Sequence, residues 1–301
     1  MQPLRVATRG SALARRQAER VVDVLGVEAE YVIVSTKGDE RRDVPIHAMG
    51  GTGVFVKEVE QAVLDGRADV AVHSAKDLPS ETAAGLVLAA LPERGDPRDA
   101  LVGRSLEEIP TGGRVGTGSV RRRAQLAALR PDLSFGELRG NIPTRLEKAP
   151  GFDAVVLAAV ALDRLGLADR IAERLDPSVV VPQVAQGALA VECRAGDDAT
   201  RDLLASVDDA GVRAAVTAER AYLAKLGGGC NLPCGALAEP GSNDTVRLEA
   251  LLASLDGRIA LRVRVDGRDP DAVGAEAARR LVDERGGRVV LDAELLEDTM
   301  P

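Results

Sequence analysis

Short apolar runs alternate with segments whose apolar residues recur at helical spacing. Residues 4–8 (LRVAT) predict a short buried strand. From Ser11, a good N-cap, Leu13, Ala14, Ala18, Val21 and Val22 repeat with a helical period. EYVIVS at 30–35 predicts a second strand. Phe55, Val59, Ala62 and Val63 share one helical face within 54–65, and DVAVH at 69–73 predicts a third strand. Strand and helix in this alternation imply parallel β-α-β units.

The pattern then restarts. PERGDPR at 92–98 has the Pro/Gly/charged composition of a hinge. RVGTG leads into a helix over 119–129, SFGEL predicts a strand, and Asn141 and Pro143 open a helix as cap and first-turn residue. DAVVLAA at 153–159 is a strongly buried strand. GALAVEC at 187–193 is one more strand, expected to cross back to the first unit, and helices follow to about 226. Residues 227–240 (GGGCNLPCGALAEP) read as a Gly/Pro-rich loop. Residues 246–266 alternate around Asp256-Gly257, a hairpin signal. A helix at about 270–285 precedes RVVLDAELL. The tail thus predicts a small α+β domain with a sheet exposed on one face.

Composition narrows the class. Hydrophobic residues make up 45% of the 301-residue chain and charged residues 29%, as in ordinary globular proteins. Aromatics are 2% with no Trp, so Val, Leu and Ala must build the core. The net charge of −8 argues against a general nucleic-acid binder. No apolar run approaches a membrane span, and MQPLRVATRGSALARRQAER lacks a signal peptide's apolar stretch. The expected location is the cytoplasm, with no membrane contact.

Lys37, Lys57, Lys76, Lys148 and Lys225 are the only lysines among 39 basic residues. Base composition of the genome accounts for most such biases. Guanidinium forks also bind carboxylates bidentately. Cys193, Cys230 and Cys234 are an odd count, which points to free thiols in a reducing compartment. Cys230 and Cys234 invite a zinc reading, but zinc needs about four ligands. His47 and His73 have no second ligand at metal spacing, so no metal is expected.

Four segments could carry chemistry. Three glycines precede Cys230 and place its thiol in an uncrowded loop; on that alone, a tight turn with an incidental cysteine is favoured. His73-Ser74-Ala75-Lys76-Asp77-Leu78-Pro79 follows a buried strand, where open α/β sheets bind ligands. A solvated Asp/Pro turn is about as good a reading there. Gly116-Thr117-Gly118-Ser119-Val120-Arg121-Arg122-Arg123 sets two forks at a helix start, which makes sense if an anion sits between them. Arg139-Gly140-Asn141 and Arg145 repeat the arrangement, and Arg9-Gly10-Ser11 follows the first strand. The residues alone describe a two-domain cleft for a polycarboxylate or polyphosphate, with a thiol nearby.

Several ordered motifs then carry a resemblance: ATRGSALA, GGTGVFVKE, ADVAVHSAKDLP, ERGDPRDAL, VGTGSVRRR, LRGNIPTRL, VPQVAQGALAVECR and GGGCNLPCG. Together they resemble the porphobilinogen deaminase (hydroxymethylbilane synthase) family over nearly the whole chain. The resemblance implies an α/β fold of two type II periplasmic-binding-protein-like domains plus a small C-terminal α+β domain. The expected boundaries are 1–94 with 186–208, 95–185, and 209–301. It implies a transferase of porphyrin and heme biosynthesis that condenses four porphobilinogen molecules on a dipyrromethane cofactor. Cys230 would hold that cofactor by a thioether.

By the same resemblance, Asp77 and Lys76 are catalytic. Asp77, Lys76, Ser74, Thr117, Ser119, Arg121, Arg122 and Gly140 bind the cofactor. Arg9, Ser11, Lys57, Arg139, Arg145, Arg164 and Gln186 bind substrate. Asp77 would stabilise the methylene-pyrrolenine cation left when ammonia departs. The arginines would bind ring acetates and propionates. A monomer is implied, with uroporphyrinogen-III synthase as a metabolic partner. Thr52, Gly118 and Cys234 depart from the common pattern, where Lys, Ser and an apolar residue are usual. Two other readings compete: a non-catalytic anion-binding protein, and a phosphate-transfer enzyme using GTGSVRRR. The latter lacks a GxxxxGK[ST] loop.

Overall fold

A computed structural model describes residues 2–36, 56–227 and 232–297. Cys230, Thr52, His47 and Phe55 lie outside the described residues. The chain divides into two compact units. Unit 1 comprises Met1–Asp96 with Gln186–Arg213, and unit 2 comprises Pro97–Ala185 with Ala214–Pro301.

Unit 1 opens with β1 (Leu4–Arg9), α1 (Ala12–Leu25) and β2 (Ala29–Val34). Ser11 caps α1 as expected, its Oγ accepting from the Ala14 N–H at 3.2 Å. Gly26 ends the helix at a φ of 64°, a left-handed cap that costs glycine no Cβ clash. α2 (Lys57–Leu64), β3 (Val70–Ser74) and β4 (Leu86–Ala90) follow. Unit 2 continues with β5 (Asp99–Gly103), β6 (Arg114–Gly116), α3 (Val120–Leu129), β7 (Ser134–Gly136), α4 (Ile142–Lys148), β8 (Ala154–Ala158), α5 (Ala159–Arg164) and β9 (Ile171–Arg174). The chain then re-enters unit 1 as β10 (Leu189–Arg194) and α6 (Asp198–Ala205).

The strand orders are β2-β1-β3-β10-β4 in unit 1 and β7-β6-β8-β5-β9 in unit 2. In each sheet three strands run parallel, and the fourth is antiparallel to both its neighbours. That fourth strand is β10 or β5, the strand with which the chain enters the unit. The expected return of 187–193 to the first unit is therefore observed. Both faces of the unit 1 sheet are covered. Val6, Val70, Val72, Val191 and Cys193 pack under α1 and α6, while Ala7 and Ala71 pack under α2. These strands read as continuous apolar runs because neither face meets water.

α7 (Ala210–Leu226) leads to the third sheet, β11 (Cys234–Pro240), β12 (Val246–Ala253) and β13 (Ala260–Gly267), followed by α8 (Pro270–Arg279) and α9 (Arg288–Glu297). The Asp256-Gly257 hairpin is present. Two expectations change here. Residues 234–240, read as part of a loop, form a strand paired to β12 from Cys234↔Leu252 to Pro240↔Val246. The small sheet is also less open than expected. α8 covers one face, and on the other Leu251 and Ala253 pack with Ala124 of α3 and Val181. The fold class is as expected: two α/β sheets and a small α+β part.

Candidate active site

In unit 1 the expected site residues collect at the carboxyl ends of β1 and β3. Arg9 ends β1 half-buried, and Ser11 follows as the α1 cap. Ser74 ends β3. A single tight turn over Ala75–Asp77 then carries Lys76 and Asp77, both half-buried. The turn is sewn to the chain that returns from unit 2. The Ala75 N–H donates to the Ala188 carbonyl at 3.0 Å, and Lys76 Nζ donates to Gln186 Oε1 at 3.3 Å. Gln186 is fully buried and its carbonyl accepts from Arg94 Nε. Lys57 is exposed in the first turn of α2.

In unit 2 the expected residues follow β6, β7 and β8. Thr117 is buried, and its Oγ1 accepts from the Ser119 N–H at 3.1 Å. Ser119 stands at the α3 N-cap without making a side-chain cap bond. Gly140 has a φ of 115°, and a Cβ there would meet Thr144 at 2.8 Å, so only glycine fits. The Gly140 carbonyl accepts from Arg145 Nε at 2.7 Å, and Asn141 caps α4 as expected. Arg139 lies half-buried, 3.6 Å from Glu137. Arg164 sits in the last turn of α5.

Arg121 and Arg122 differ from expectation. Both are buried, at 3% and 5% exposed, and the anion between them is the protein's own Asp99, at 0%. Arg122 Nε and Nη2 donate to Asp99 Oδ1 at 3.0 and 2.7 Å, and Nη1 donates to the Val156 carbonyl. Each Arg122 nitrogen thus already bonds the protein. Arg121 Nη1 stands 2.8 Å from Asp99 Oδ2 and donates to the Val181 carbonyl at 2.6 Å. Burial pushes the Asp99 carboxyl up, but the fields and hydrogen bonds of the two guanidiniums outweigh it and hold it well below the usual carboxylate range. Burial opposes the Arg121 charge, and its pKa is lowered.

Two donors of Arg121 are left over. Its Nε and Nη2 are buried with no hydrogen-bond partner among the described residues. An unpaired buried donor is costly, so such a group marks a place where a further acceptor belongs. The location is specific. A Cβ on Gly235 would come within 3.1 Å of Arg121 Cδ and 2.7 Å of the Pro182 carbonyl. Gly235 is the second residue of β11, the strand that leaves the Cys230 loop, and the Cys234 thiol is buried at its start. Two unpartnered buried guanidinium donors fit a further acceptor such as a carboxylate.

Sequence reasoning missed Asp99 and Glu219. Asp99 opens an apolar strand after the hinge, and a lone acid in that position was the available signal. Glu219, inside α7, is fully buried and accepts from the Ala185 and Ala238 N–H groups at 2.6 and 2.7 Å. It ties the segment before the unit boundary to β11. Nothing local in AERAYL distinguishes it from a solvated helical glutamate.

Residues 4–202 match the family model described as porphobilinogen deaminase, dipyromethane cofactor binding domain, and residues 213–283 match its C-terminal domain. Proteins named porphobilinogen deaminase are similar over nearly full length. The one from Roseiflexus castenholzii is 47% identical over 96% of this chain and 98% of its own. That from Brevibacillus brevis is 45% identical over 98% of each chain. That from Acidothermus cellulolyticus is 48% identical over 92% of this chain and 87% of its own. Among solved structures, a periplasmic His/Glu/Gln/Arg/opine family-binding protein from Silicibacter pomeroyi aligns over 68% of this chain and 88% of its own, with a TM-score of 0.36 and 13% identity. No helix among the described residues is long and apolar enough to cross a membrane.

Proposed function

The chain belongs to the porphobilinogen deaminase family, and from that premise we propose how its own residues divide the work. The enzyme is a hydroxymethylbilane synthase, a transferase of tetrapyrrole biosynthesis. It joins four porphobilinogen molecules head to tail, losing one ammonia with each, and releases the linear tetrapyrrole hydroxymethylbilane by hydrolysis. Its cofactor is dipyrromethane. When bound, that cofactor supplies the primer pyrrole to which the first substrate is joined.

Cys230 would hold the cofactor through a thioether, and Arg121, with two donors unpartnered among the described residues, would bind one of its carboxylates. The observation that carries this assignment is the pair of unpartnered Arg121 donors beside Gly235. Arg122 adds charge and keeps Asp99 in place. Ser74, Thr117, Ser119 and Gly140 are further cofactor-binding residues in this reading. Asp77 stabilises the positive charge that develops as ammonia leaves porphobilinogen. A carboxylate already fixed on a turn needs little reorganisation to do so. Lys76, steadied by Gln186, stands in the same turn as a second catalytic group. Arg9, Lys57, Arg139, Arg145 and Arg164, with the Ser11 hydroxyl, bind the acetates and propionates that accumulate as the chain lengthens. Planar forks suit that task, because a growing product presents planar carboxylates.

This reading keeps the division into residues 1–94 with 186–208, 95–185 and 209–301. It includes a monomer in the cytoplasm, whose product passes to uroporphyrinogen-III synthase without a required physical association.

The test is the intact mass of the purified protein with peptide mapping of residues 227–240. An added mass of two linked pyrrole rings on Cys230 is the expected result. The same adduct on Cys234 moves the attachment site. No adduct, even after porphobilinogen is supplied, overturns the reading.

A further inference from the structure

Beside the Asp77 turn lies a group of ionisable side chains that the reaction as described does not use. β3 and β10 are almost wholly apolar within their buried stretches, and besides the Cys193 thiol the ionisable residues there are His73 and Glu192. Their register pairs His73 with Ala190 and Ala71 with Glu192. His73 and Glu192 are therefore diagonal neighbours on one face of the sheet. That face is covered by α2, whose Val59, Ala62 and Val63 pack with Ala71.

Glu60 comes from α2 to the same place. Glu60, His73 and Glu192 are 6%, 5% and 1% exposed. His73 Nε2 stands 3.2 Å from Glu192 Oε2, a contact with ion-pair distance but without aligned hydrogen-bond geometry. Burial, and after it the charge of Glu192, pushes the Glu60 carboxyl up, with His73 and Lys57 opposing. Glu60 Oε1 has no hydrogen-bond partner among the described residues. The other charged groups on these elements are Lys57 and Glu58 on α2 and Arg194 at the end of β10. Arg194 is occupied by the Val63 and Ala68 carbonyls and by Asp197 and Asp69.

Three buried ionisable groups give no stability that apolar side chains of similar size would not match. What they do give is direction. A polar side-chain contact across two strands has one register, whereas apolar strands tolerate small slips. His73 is four residues before Asp77, and the turn between them hangs from β3 on one side and from Gln186 and Ala188 on the other. The β3–β10 pairing therefore sets where Asp77 stands.

We propose that His73 is a positioning residue for Asp77, held against Glu192 across the β3–β10 pair beneath α2. The inference rests on the assignment of the reaction above. Holoenzyme carrying His73→Gln, Glu192→Gln, or both, is compared with the unaltered holoenzyme on porphobilinogen. Each single change is expected to lower kcat about tenfold, because a misplaced reacting group is costly. KM is expected to change less than twofold, with cofactor content by the aldehyde colour reaction unchanged. The double variant should lose no more than the worse single, since the two act as one unit. Losses that multiply, or a raised KM with intact kcat, overturn the proposal. If the glutamine variants fail to fold, Glu192→Asp withdraws the carboxylate from His73 by one methylene. It should lower kcat about threefold at constant KM, and an unchanged kcat overturns the proposal. If the unaltered holoenzyme does not turn over porphobilinogen, the functional assignment itself fails, which is a separate outcome.

Discussion

The two α/β units solve one problem with different chemistry. In both, the antiparallel strand entering from the other unit carries a buried carboxylate, Asp99 on β5 and Glu192 on β10. In both, a basic side chain on a neighbouring element meets it. In unit 2 the cations are two guanidiniums, which stay charged at any working pH. In unit 1 the partner is an imidazole, with a second carboxyl beside it. Unit 2 thus holds a fixed charge cluster with two donors to spare. Unit 1 holds a titratable one beside a half-exposed turn. The same sheet plan therefore buries a fixed charge cluster in one half and an imidazole–carboxylate contact beside the Asp77 turn in the other. What differs is which basic side chain the entering strand meets.

The comparison is sharpened most by Asp77→Ala. If chemistry resides on the unit 1 turn, kcat falls by about 10²–10³-fold, the scale for losing one preorganised electrostatic group. The thermal midpoint should barely move, because a half-buried turn residue contributes little packing. Near-normal turnover would end the distinction between a reacting half and a binding half.

Asp99→Asn comes next and tests whether the unit 2 cluster is fixed charge. Removing the carboxylate leaves two buried guanidiniums without their anion and should cost roughly 3–5 kcal/mol of stability. The sign of its pH dependence follows from the lowered Asp99 value. The contribution is present above the ordinary aspartate range and is lost only as pH falls through the lower folded value. Unfolding measured from pH 7 downward should therefore show a gap between wild type and variant that persists through pH 4. A gap that closes near pH 4 would contradict it.

Glu60→Gln is the smallest effect and reads the other cluster. A carboxyl with a raised folded pKa gives no penalty below its unfolded value. The penalty grows as pH rises through the folded one. The variant should match wild type in acid and be more stable at neutral pH. An advantage seen in acid, or none at neutral pH, would show that Glu60 is not the titrating member of this group.

Much of the fold and part of the site are legible in the amino-acid sequence. Ser11 and Asn141 announce their helices because an N-cap is a local device, settled within three residues. The Asp77 turn is legible because a polar run after a buried apolar strand can only stand at a sheet's carboxyl end. β11 is hidden. Its glycine and proline look like loop residues, and it is a strand only because β12 lies alongside with a complementary row of donors and acceptors.

The sequence by itself determined the alternation of strands and helices, the two-unit plan, the family motifs and the placement of polar residues at strand ends. All of these depend on residues close together in the chain. Only the tertiary structure decided that Arg121 and Arg122 close on Asp99, that His73 closes on Glu192, and that Arg121 keeps two donors beside Gly235. Those partners are distant in sequence. A charge buried by folding takes whichever opposite charge the strand order brings within reach, and that order is fixed by which strand returns across the boundary between the units.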